Sequence, residues 1–274
     1  MYKKNLMKIS KDQLTFFKKN GYLHIKNPFN LMDFEIDAMQ KDVNYMIDQS
    51  KSGAHEMVRV YDDFPHYIDG INIAAIEDPI SIMPQKLIDR INEFNLPKLM
   101  SNIAEINQYH ISLVRFHTTN FFKFQGSWHQ DSRNNVEKSI LANFYFFKES
   151  GFKFLLRDPP LNKIGDEKQI NELNTVDGQK DIMFFPGDLC FFDPFIFHKA
   201  FSSKKRCHLH VRIDSINENT ASVVNKISDY RLTNKIFYQR DRGNLVNNIR
   251  ASIKRHINLL KYFLPSKKKS NIFL

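Results

Sequence analysis

The polar and apolar positions near the N-terminus predict a short helix that leads into a strand. Ser10 and Gln13 have the spacing of a capping box, in which the serine accepts a hydrogen bond from the first turn and the glutamine reaches back. Gly21 supplies the left-handed residue that ends many helices. The apolar run Tyr22–Ile25 then predicts a short strand.

Two further helices are predicted before the chain changes character. Residues 31–51 carry apolar side chains at helical spacing, which predicts a longer helix. The residues assigned to its buried face are Phe34, Ala38, Val43, Met46 and Ile47. A second helix is predicted near residues 85–95, whereas most of the segment from Gly53 to Met100 gives no clear pattern.

Short apolar runs rich in Phe, Ile, Val and Tyr recur from Ile106 to Ile213, and they predict an all-β sandwich or barrel. The predicted strands are 111–116, 140–147, 182–185, 189–192 and 207–213. The sequence Pro186-Gly187-Asp188 predicts a tight turn between two of them. The long polar segment 157–179 has the length of a functional loop.

The charge is concentrated at the C-terminal end of the 274-residue chain. The formal net charge is +10, and the segment from Asn225 to Leu274 has twelve basic and two acidic residues, so it carries the whole excess. Asn244–Leu264 is amphipathic, and Pro265 follows it. A helix docked on the domain with a solvated basic face is favoured. The alternative is weak contact with anionic lipid or with an anionic carrier of the substrate. No module that reads nucleic acid is recognised, so no specific nucleic acid is expected.

The cysteines and the hydropathy predict a soluble cytoplasmic protein. Cys190 and Cys207 each lie in an apolar run, as reduced core thiols do. The N-terminus has no apolar stretch of signal-peptide length, and no apolar run is long enough to span a membrane.

The candidate chemistry begins at His129 and Asp131, in the sequence SWHQD. Residues i and i+2 of an extended chain project from the same face, so both side chains can converge on one point. An isolated His-x-Asp is more often part of a surface turn. Here His198 follows a turn and a buried strand, and offers a third ligand. Two histidines and one carboxylate form the facial triad that suits non-haem Fe(II).

These landmarks together resemble the phytanoyl-CoA dioxygenase family of Fe(II)- and 2-oxoglutarate-dependent oxygenases. Residues 9–22 are similar to the helix-then-strand start of the family. Trp128-His129-Gln130-Asp131 is similar to its metal motif, and the run from Gly187 to His198 to the strand with its distal histidine. The resemblance covers most of the chain up to about Asp214.

The resemblance implies a mainly β protein with a double-stranded β-helix core, a jelly-roll of the cupin type, and flanking helices. His129, Asp131 and His198 would bind Fe(II). 2-Oxoglutarate would chelate the metal through its keto acid, and its far carboxylate would pair with Arg206, because a guanidinium matches a carboxylate in geometry. O2 is the remaining co-substrate, and oxidation of an unactivated C–H bond would accompany release of succinate and CO2.

Two departures from the family pattern leave the co-substrate contacts open. Ala200 stands where the family often has a serine. The segment between His198 and Arg206 is also shorter than usual, which makes Arg212, on the same strand face, a rival anchor. Asn143 and Tyr145 share a strand face with Phe147, and either bind co-substrate or substrate or face the core.

Several other residues have a structural interpretation beside a functional one. His208 and His210 share a face and could form a second metal pair. A role in lining the pocket is favoured, because the sequence presents no third ligand. His110 and His117 are expected to be structural, and Trp128 is expected to pack against the metal loop.

The sequence thus predicts one oxygenase domain, 1–216, with helical N-terminal decoration in 1–105 and a jelly-roll core in 106–216. Residues 217–274 would form a basic helical extension. The predicted function is a dioxygenase that hydroxylates a small organic or lipid-like substrate. The alternatives are a jelly-roll binding protein without turnover, and the same iron chemistry used for desaturation, ring formation or epimerisation.

Overall fold

The computed structural model describes nine ranges of the chain, and all structural statements below refer to them. They are residues 7–51, 58–60, 73–77, 79–119, 124–125, 128–131, 137–155, 175–202 and 206–216. The predicted C-terminal helix and most of the polar segment 157–179 lie outside the described residues.

The N-terminal helix and strand are confirmed. Helix α1, Lys11–Asn20, begins at the Ser10 capping box and ends at Gly21, whose φ of 79° lies in the left-handed region that favours glycine. Strand β1, Tyr22–Ile25, pairs antiparallel with a strand much later in the chain, so this segment belongs to the main sheet.

The second helix confirms the predicted element but not all of its buried face. Helix α2 is Asp33–Lys51. Met39, Val43, Met46 and Ile47 are buried, whereas Phe34 is 65% exposed. Phe34 precedes Val43 by about two and a half turns at 3.6 residues per turn, which places it on the opposite side of the helix. Ala38 is exposed for a similar reason.

Two helices and a 3₁₀ turn lie in the segment that gave few sequence signals. The 3₁₀ turn is Pro79–Ser81, and α3 is Gln85–Glu93, as predicted. Helix α4, Leu96–Ala104, was not predicted. It follows Asn95, which has a left-handed conformation, and Pro97 lies in its first turn, where proline is tolerated. Residues that would interrupt the interior of a helix therefore stand at the start of this one.

The remaining elements are strands. They are β2 Val58–Val60, β3 Ile73–Glu77, β4 Tyr109–Thr119, β5 Phe124–Gln125, β6 Ser139–Tyr145, β7 Glu149–Phe154, β8 Lys180–Phe184, β9 Leu189–Phe192, β10 His198–Ser202 and β11 Arg206–Ser215. Within the described residues they form a seven-stranded sheet, β1-β9-β6-β11-β4-β3-β2, and a four-stranded sheet, β5-β10-β7-β8. Every pairing between these described strands is antiparallel.

The two faces of the larger sheet pack against different partners. On its outer face, residues such as Leu209 and Val211 join the helices in one apolar core. On its inner face, residues such as Tyr145 and Phe192 pack against Phe152 of the smaller sheet. The first 105 residues therefore contribute three strands to the larger sheet as well as the predicted helices.

The strand β11 shows this division most clearly, because its side chains alternate between the two faces. Its odd-numbered residues from Cys207 to Ile213 lie in the outer core. Its even-numbered residues are buried, polar and directed to the inner face. They are Arg206, His208, His210, Arg212 and Asp214. The inside of the two-sheet core is therefore unusually polar around β11, and this is where the candidate chemistry lies.

Candidate metal centre

The predicted ligands His129, Asp131 and His198 converge in the structure. His129 and His198 exchange two backbone hydrogen bonds of 3.0 Å, which join the segment 128–131 to the start of β10. Asp131 N–H donates to the Pro194 carbonyl at 2.8 Å and fixes the other end of the segment. Backbone pairing therefore brings together ligands that are far apart in the sequence.

The side-chain geometry fits a single metal ion. One ligand atom from each residue lies within 4.8 Å of the other two. Asp131 Oδ2 is 3.3 Å from His198 Nε2, and Asp131 Oδ1 is 3.8 Å from His129 Nε2. Two imidazoles and one carboxylate are the donor set of the non-haem Fe(II) triad. The residues present therefore fit the predicted ion.

Neighbouring groups orient the ligands, as outer partners do in metal sites. His198 Nδ1 is 3.0 Å from the Ile196 carbonyl, and because a carbonyl only accepts, Nδ1 carries the proton and Nε2 carries the lone pair. Arg212 Nη1 donates to the Asp131 carbonyl at 2.5 Å. The ring of His198 and the backbone of Asp131 are thus both held in place.

The electrostatics keep Asp131 in its ligating form. Burial acts to raise the pKa of this carboxyl, but the hydrogen bond and charge of His198, with His210 and His129, outweigh it and hold the pKa well below its ordinary value. The side chains of His129 and Asp131 are 42% and 34% exposed, whereas that of His198 is 2% exposed. One side of the cluster is therefore open to incoming molecules.

Trp128 is confirmed as a packing residue. Its side chain is fully buried in a small apolar cluster with Leu155 and Val176, and Phe197 packs against that cluster. Trp128 is adjacent to His129, and Phe197 is adjacent to His198. The cluster therefore supports both histidine ligands from one side.

The two candidate anchor arginines have different surroundings. Arg212 is 3% exposed, and its Nε donates to Asp214 Oδ1 at 2.7 Å in addition to its contact with Asp131. Arg206 is 5% exposed and lies over the Phe152 ring, 5.6 Å from its centroid. Arg212 is thus held by Asp214 and the Asp131 carbonyl, while its Nη2 is buried without a hydrogen-bond partner.

Asn143 and Tyr145 are both fully buried on the inner face. Asn143 Oδ1 is 2.7 Å from His210 Nδ1, and its Nδ2 donates to the Tyr145 hydroxyl at 3.3 Å. Tyr145 also stacks on Phe184, with ring centroids 3.9 Å apart. Phe147, predicted on the same face, packs against the outer core instead, because β6 ends at Tyr145 and the alternation stops there.

The expectation that His208 and His210 lack a third ligand was wrong. His117 on β4 pairs directly with His208 on β11, and one ligand atom from each of the three histidines lies within 4.8 Å of the others. The interpretation of His117 as purely structural missed this cluster. Sequence spacing within β11 suggested a pair, but the register between β4 and β11 supplies the third imidazole.

Two predictions outside the metal centre can also be compared with the structure. Cys190 and Cys207 are buried reduced thiols, as predicted. Among the described residues, no helix combines the length and apolar character that crossing a bilayer requires.

Comparison with solved structures shows the fold class. The chain is similar to SnoK, a non-haem α-ketoglutarate-dependent carbocyclase from nogalamycin biosynthesis, with a TM-score of 0.54 and 12% identity over 80% of this chain and 91% of SnoK. It is similar to EctD from S. alaskensis with 2-oxoglutarate and 5-hydroxyectoine, with a TM-score of 0.53 and 15% identity over 76% of this chain and 77% of EctD.

A third similar structure is SnoN, a non-haem α-ketoglutarate-dependent epimerase from nogalamycin biosynthesis. Its TM-score is 0.52 at 12% identity, over 85% of this chain and 96% of SnoN. No protein-family model and no curated protein sequence matches the chain, so the resemblance to the phytanoyl-CoA dioxygenase family stays a prediction. The predicted fold class is confirmed: the chain has the double-stranded β-helix fold of these oxygenases.

Proposed function

We propose that this protein is an Fe(II)- and 2-oxoglutarate-dependent dioxygenase that hydroxylates a small organic or lipid-like substrate and releases succinate and CO2. The observation that carries the proposal is the convergence of His129, Asp131 and His198, with ligand atoms within 4.8 Å of one another. A carboxylate between two imidazoles leaves three coordination positions for co-substrate and O2. The partial exposure of His129 and Asp131 gives those molecules access.

Each residue in the proposed site has a distinct role. His129, Asp131 and His198 hold the ion, and bound Fe(II) supplies the redox chemistry that couples oxidation of 2-oxoglutarate to oxidation of a C–H bond. Arg206 is the proposed anchor for the far carboxylate of 2-oxoglutarate, and Arg212, whose Nη2 is buried without a hydrogen-bond partner, is the rival on the same strand face. Asn143 and Tyr145 orient His210 beside this space.

The similar structures support the choice of metal and co-substrate. SnoK and SnoN are described as non-haem and α-ketoglutarate dependent, and the EctD structure contains 2-oxoglutarate. At identities of 12% to 15%, the similarity supports the fold alone. The proposal that this chain shares their chemistry therefore rests on the ligand cluster.

A second candidate reaction is ring formation or epimerisation with the same ion and co-substrate. The description of SnoK as a carbocyclase and of SnoN as an epimerase favours it. Hydroxylation adds one oxygen atom to the product, ring closure by desaturation removes two hydrogens, and epimerisation leaves the mass unchanged. The mass of the product therefore separates the three reactions.

The basic tail carries a separate proposal. Residues 244–264 combine apolar and basic positions, which suits weak contact with anionic lipid or an anionic substrate carrier. In a sedimentation assay, phosphatidylserine vesicles should bind the full chain and should not bind a chain that stops at Gly243. Equal binding by both would refute the lipid contact, and a cytoplasmic location stays a prediction.

The proposed function is tested by succinate formation. Purified protein with Fe(II), O2 and 2-oxoglutarate should release succinate slowly, and a pool of small organic acids and lipid-like compounds should contain a member that accelerates it. Asp131→Ala is the control, because it removes the carboxylate ligand. A folded protein that forms no succinate above this control, with any member of the pool, would favour the binding-protein interpretation.

A further inference from the structure

A second cluster of imidazoles lies on the inner face, outside the candidate iron site. His117 is directly opposite His208 in the antiparallel pair of β4 and β11, and His210 lies two residues further along β11. The His117 ring centroid is 5.2 Å from that of His208 and 5.0 Å from that of His210. Two hydrogen-bonded strands fix this arrangement, so it is built into the sheet.

The three histidines are spaced for a shared ligand. One ligand nitrogen from each lies within 4.8 Å of the other two. A tetrahedral ion with metal–nitrogen bonds of about 2.0 to 2.1 Å holds its ligand nitrogens about 3.3 Å apart, so small changes in side-chain torsion bring the cluster into ligand geometry. Three imidazoles suit zinc, copper, iron or nickel.

A neighbouring amide fixes the tautomer of one of the three histidines. The Asn143 oxygen accepts from His210 Nδ1 at 2.7 Å, which leaves the lone pair on His210 Nε2. Asn143 therefore acts as the outer partner that fixes the tautomer of a ligating histidine.

Two arginines near the cluster determine what else it binds. Arg115 lies opposite His210 in the register of β4 and β11, and Arg206 is two residues before His208 on the same strand face. Their positive charge disfavours a bare cation and favours one whose fourth ligand is an anion, such as hydroxide or a carboxylate. The described cluster contains no carboxylate of its own, so this ligand has to come from solution.

We propose that His117, His208 and His210 form a second metal site, which takes a divalent transition ion such as Zn²⁺ with an anionic fourth ligand from solution. The site is independent of the assignment of the first cluster to iron. Since His208 is two residues from Arg206 on the same strand face, a co-substrate that reaches Arg206 would occupy adjoining space. Binding to the second site is therefore measured without 2-oxoglutarate.

The test measures metal stoichiometry by equilibrium dialysis against Zn²⁺. The double variant His129→Ala/Asp131→Ala removes the first cluster and should still bind one equivalent. Adding His117→Gln should abolish that binding, whereas adding His110→Gln should not. His110 is the matched control, because it is buried on the same strand but lies outside the cluster. Circular dichroism and cooperative thermal unfolding establish that every variant is folded.

A spectroscopic readout supports the same test. Co²⁺ absorbs visible light far more strongly in a tetrahedral site than in a six-coordinate one, so the double variant should give an intense band that His117→Gln removes. If the double variant binds no ion, or if His117→Gln leaves both stoichiometry and band unchanged, the second site does not exist. His208→Gln provides a second variant in case His117→Gln fails to fold.

Discussion

The two clusters of metal-ligating side chains differ in how the chain builds them. His129, Asp131 and His198 include a carboxylate, lie where a short segment meets the start of β10, and are partly open to solvent. The second cluster contains only imidazoles, lies on two adjacent strands of the larger sheet, and is flanked by arginines. One arrangement suits a reactive ion with three open positions, and the other suits an ion held by three imidazoles and one ligand from solution.

The two clusters also differ in how far they can be detected from the sequence. The first cluster has a local signature, because His129 and Asp131 stand two residues apart beside a buried tryptophan. The second cluster depends on the register that places His117 opposite His208. A register between distant strands leaves no mark in either strand alone, so the sequence suggested a pair and missed the third ligand.

The largest expected effect comes from removing a ligand of the first cluster, because this tests whether that cluster is needed for turnover. Loss of an outer partner alone typically costs about 10- to 100-fold in metal affinity or activity, so loss of Asp131 itself should cost more than that. Asp131→Ala should therefore lower succinate formation by more than about 100-fold. His110→Gln, outside both clusters, should retain the wild-type rate. A rate close to wild type in folded Asp131→Ala protein would remove the first cluster from the mechanism.

The support of the first cluster can be tested through Trp128. Truncation of a fully buried Trp leaves a cavity, and Trp128→Ala should lower the free energy of unfolding by about 3 to 5 kcal/mol. Urea denaturation measures the change, with Trp128→Phe as the milder variant. Iron affinity should fall with it, because Trp128 packs with Phe197 beside the ligand His198. A small loss in Trp128→Ala, equal to that in Trp128→Phe, would contradict this role.

The two arginines can be tested separately, because Arg206 is assigned to 2-oxoglutarate binding and Arg212 to the contact with Asp214. A hydrogen bond to a charged group contributes about 1.5 to 3 kcal/mol, so Arg206→Ala should weaken 2-oxoglutarate binding by about 10- to 100-fold. Arg212→Ala should affect 2-oxoglutarate affinity far less and instead lower stability, because it leaves Asp214 buried without its cation. Calorimetric titration and thermal unfolding measure the two effects. The reverse order of affinities would reassign the anchor to Arg212.

The smallest expected effect is on acid stability. Burial acts to raise the pKa of Asp214, but the charge of Arg212 and the hydrogen bonds from Ser139 and Arg212 outweigh it, so the pKa is lower folded than unfolded. The stabilisation that the Asp214 carboxylate gives the folded state is therefore complete above the unfolded pKa of about 3.9. It is lost as the pH falls through the lower folded pKa.

The matching experiment compares wild type with Asp214→Asn by urea denaturation as a function of pH. The difference in free energy of unfolding should be constant near neutrality and shrink below about pH 4. Asp37→Asn, at an exposed carboxylate, serves as the control. A difference that does not change with pH would show that the Asp214 charge contributes nothing.

Local chemistry made much of the fold predictable. The Ser10 capping box, Gly21, and the turn at Gly187 specify their own conformations, and the structure confirms each. The alternation along β11 likewise revealed which side chains share a face. Helix α4 escaped prediction because it is only nine residues long and is separated from α3 by only two residues, with Pro97 in its first turn, where proline is tolerated.

The candidate site was predictable only in part, for a related reason. The candidate ligands could be recognised because their order along the chain resembles a known pattern. The network of Arg212 with Asp214 and the Asp131 carbonyl depends on side-chain positions that no spacing encodes. The sequence therefore left the choice between Arg206 and Arg212 as anchor open, and Arg206 stays a proposal.

His129, Asp131 and His198 are proposed to bind iron, and 2-oxoglutarate is proposed to chelate that iron. The most direct measurement is an anaerobic titration of the metal-free protein with Fe(II) and then 2-oxoglutarate, followed through the weak visible charge-transfer band of a chelated keto acid. We expect a band that saturates in wild type and is absent in His129→Ala. A folded wild-type protein that gives no band, or a band that persists in His129→Ala, would contradict it.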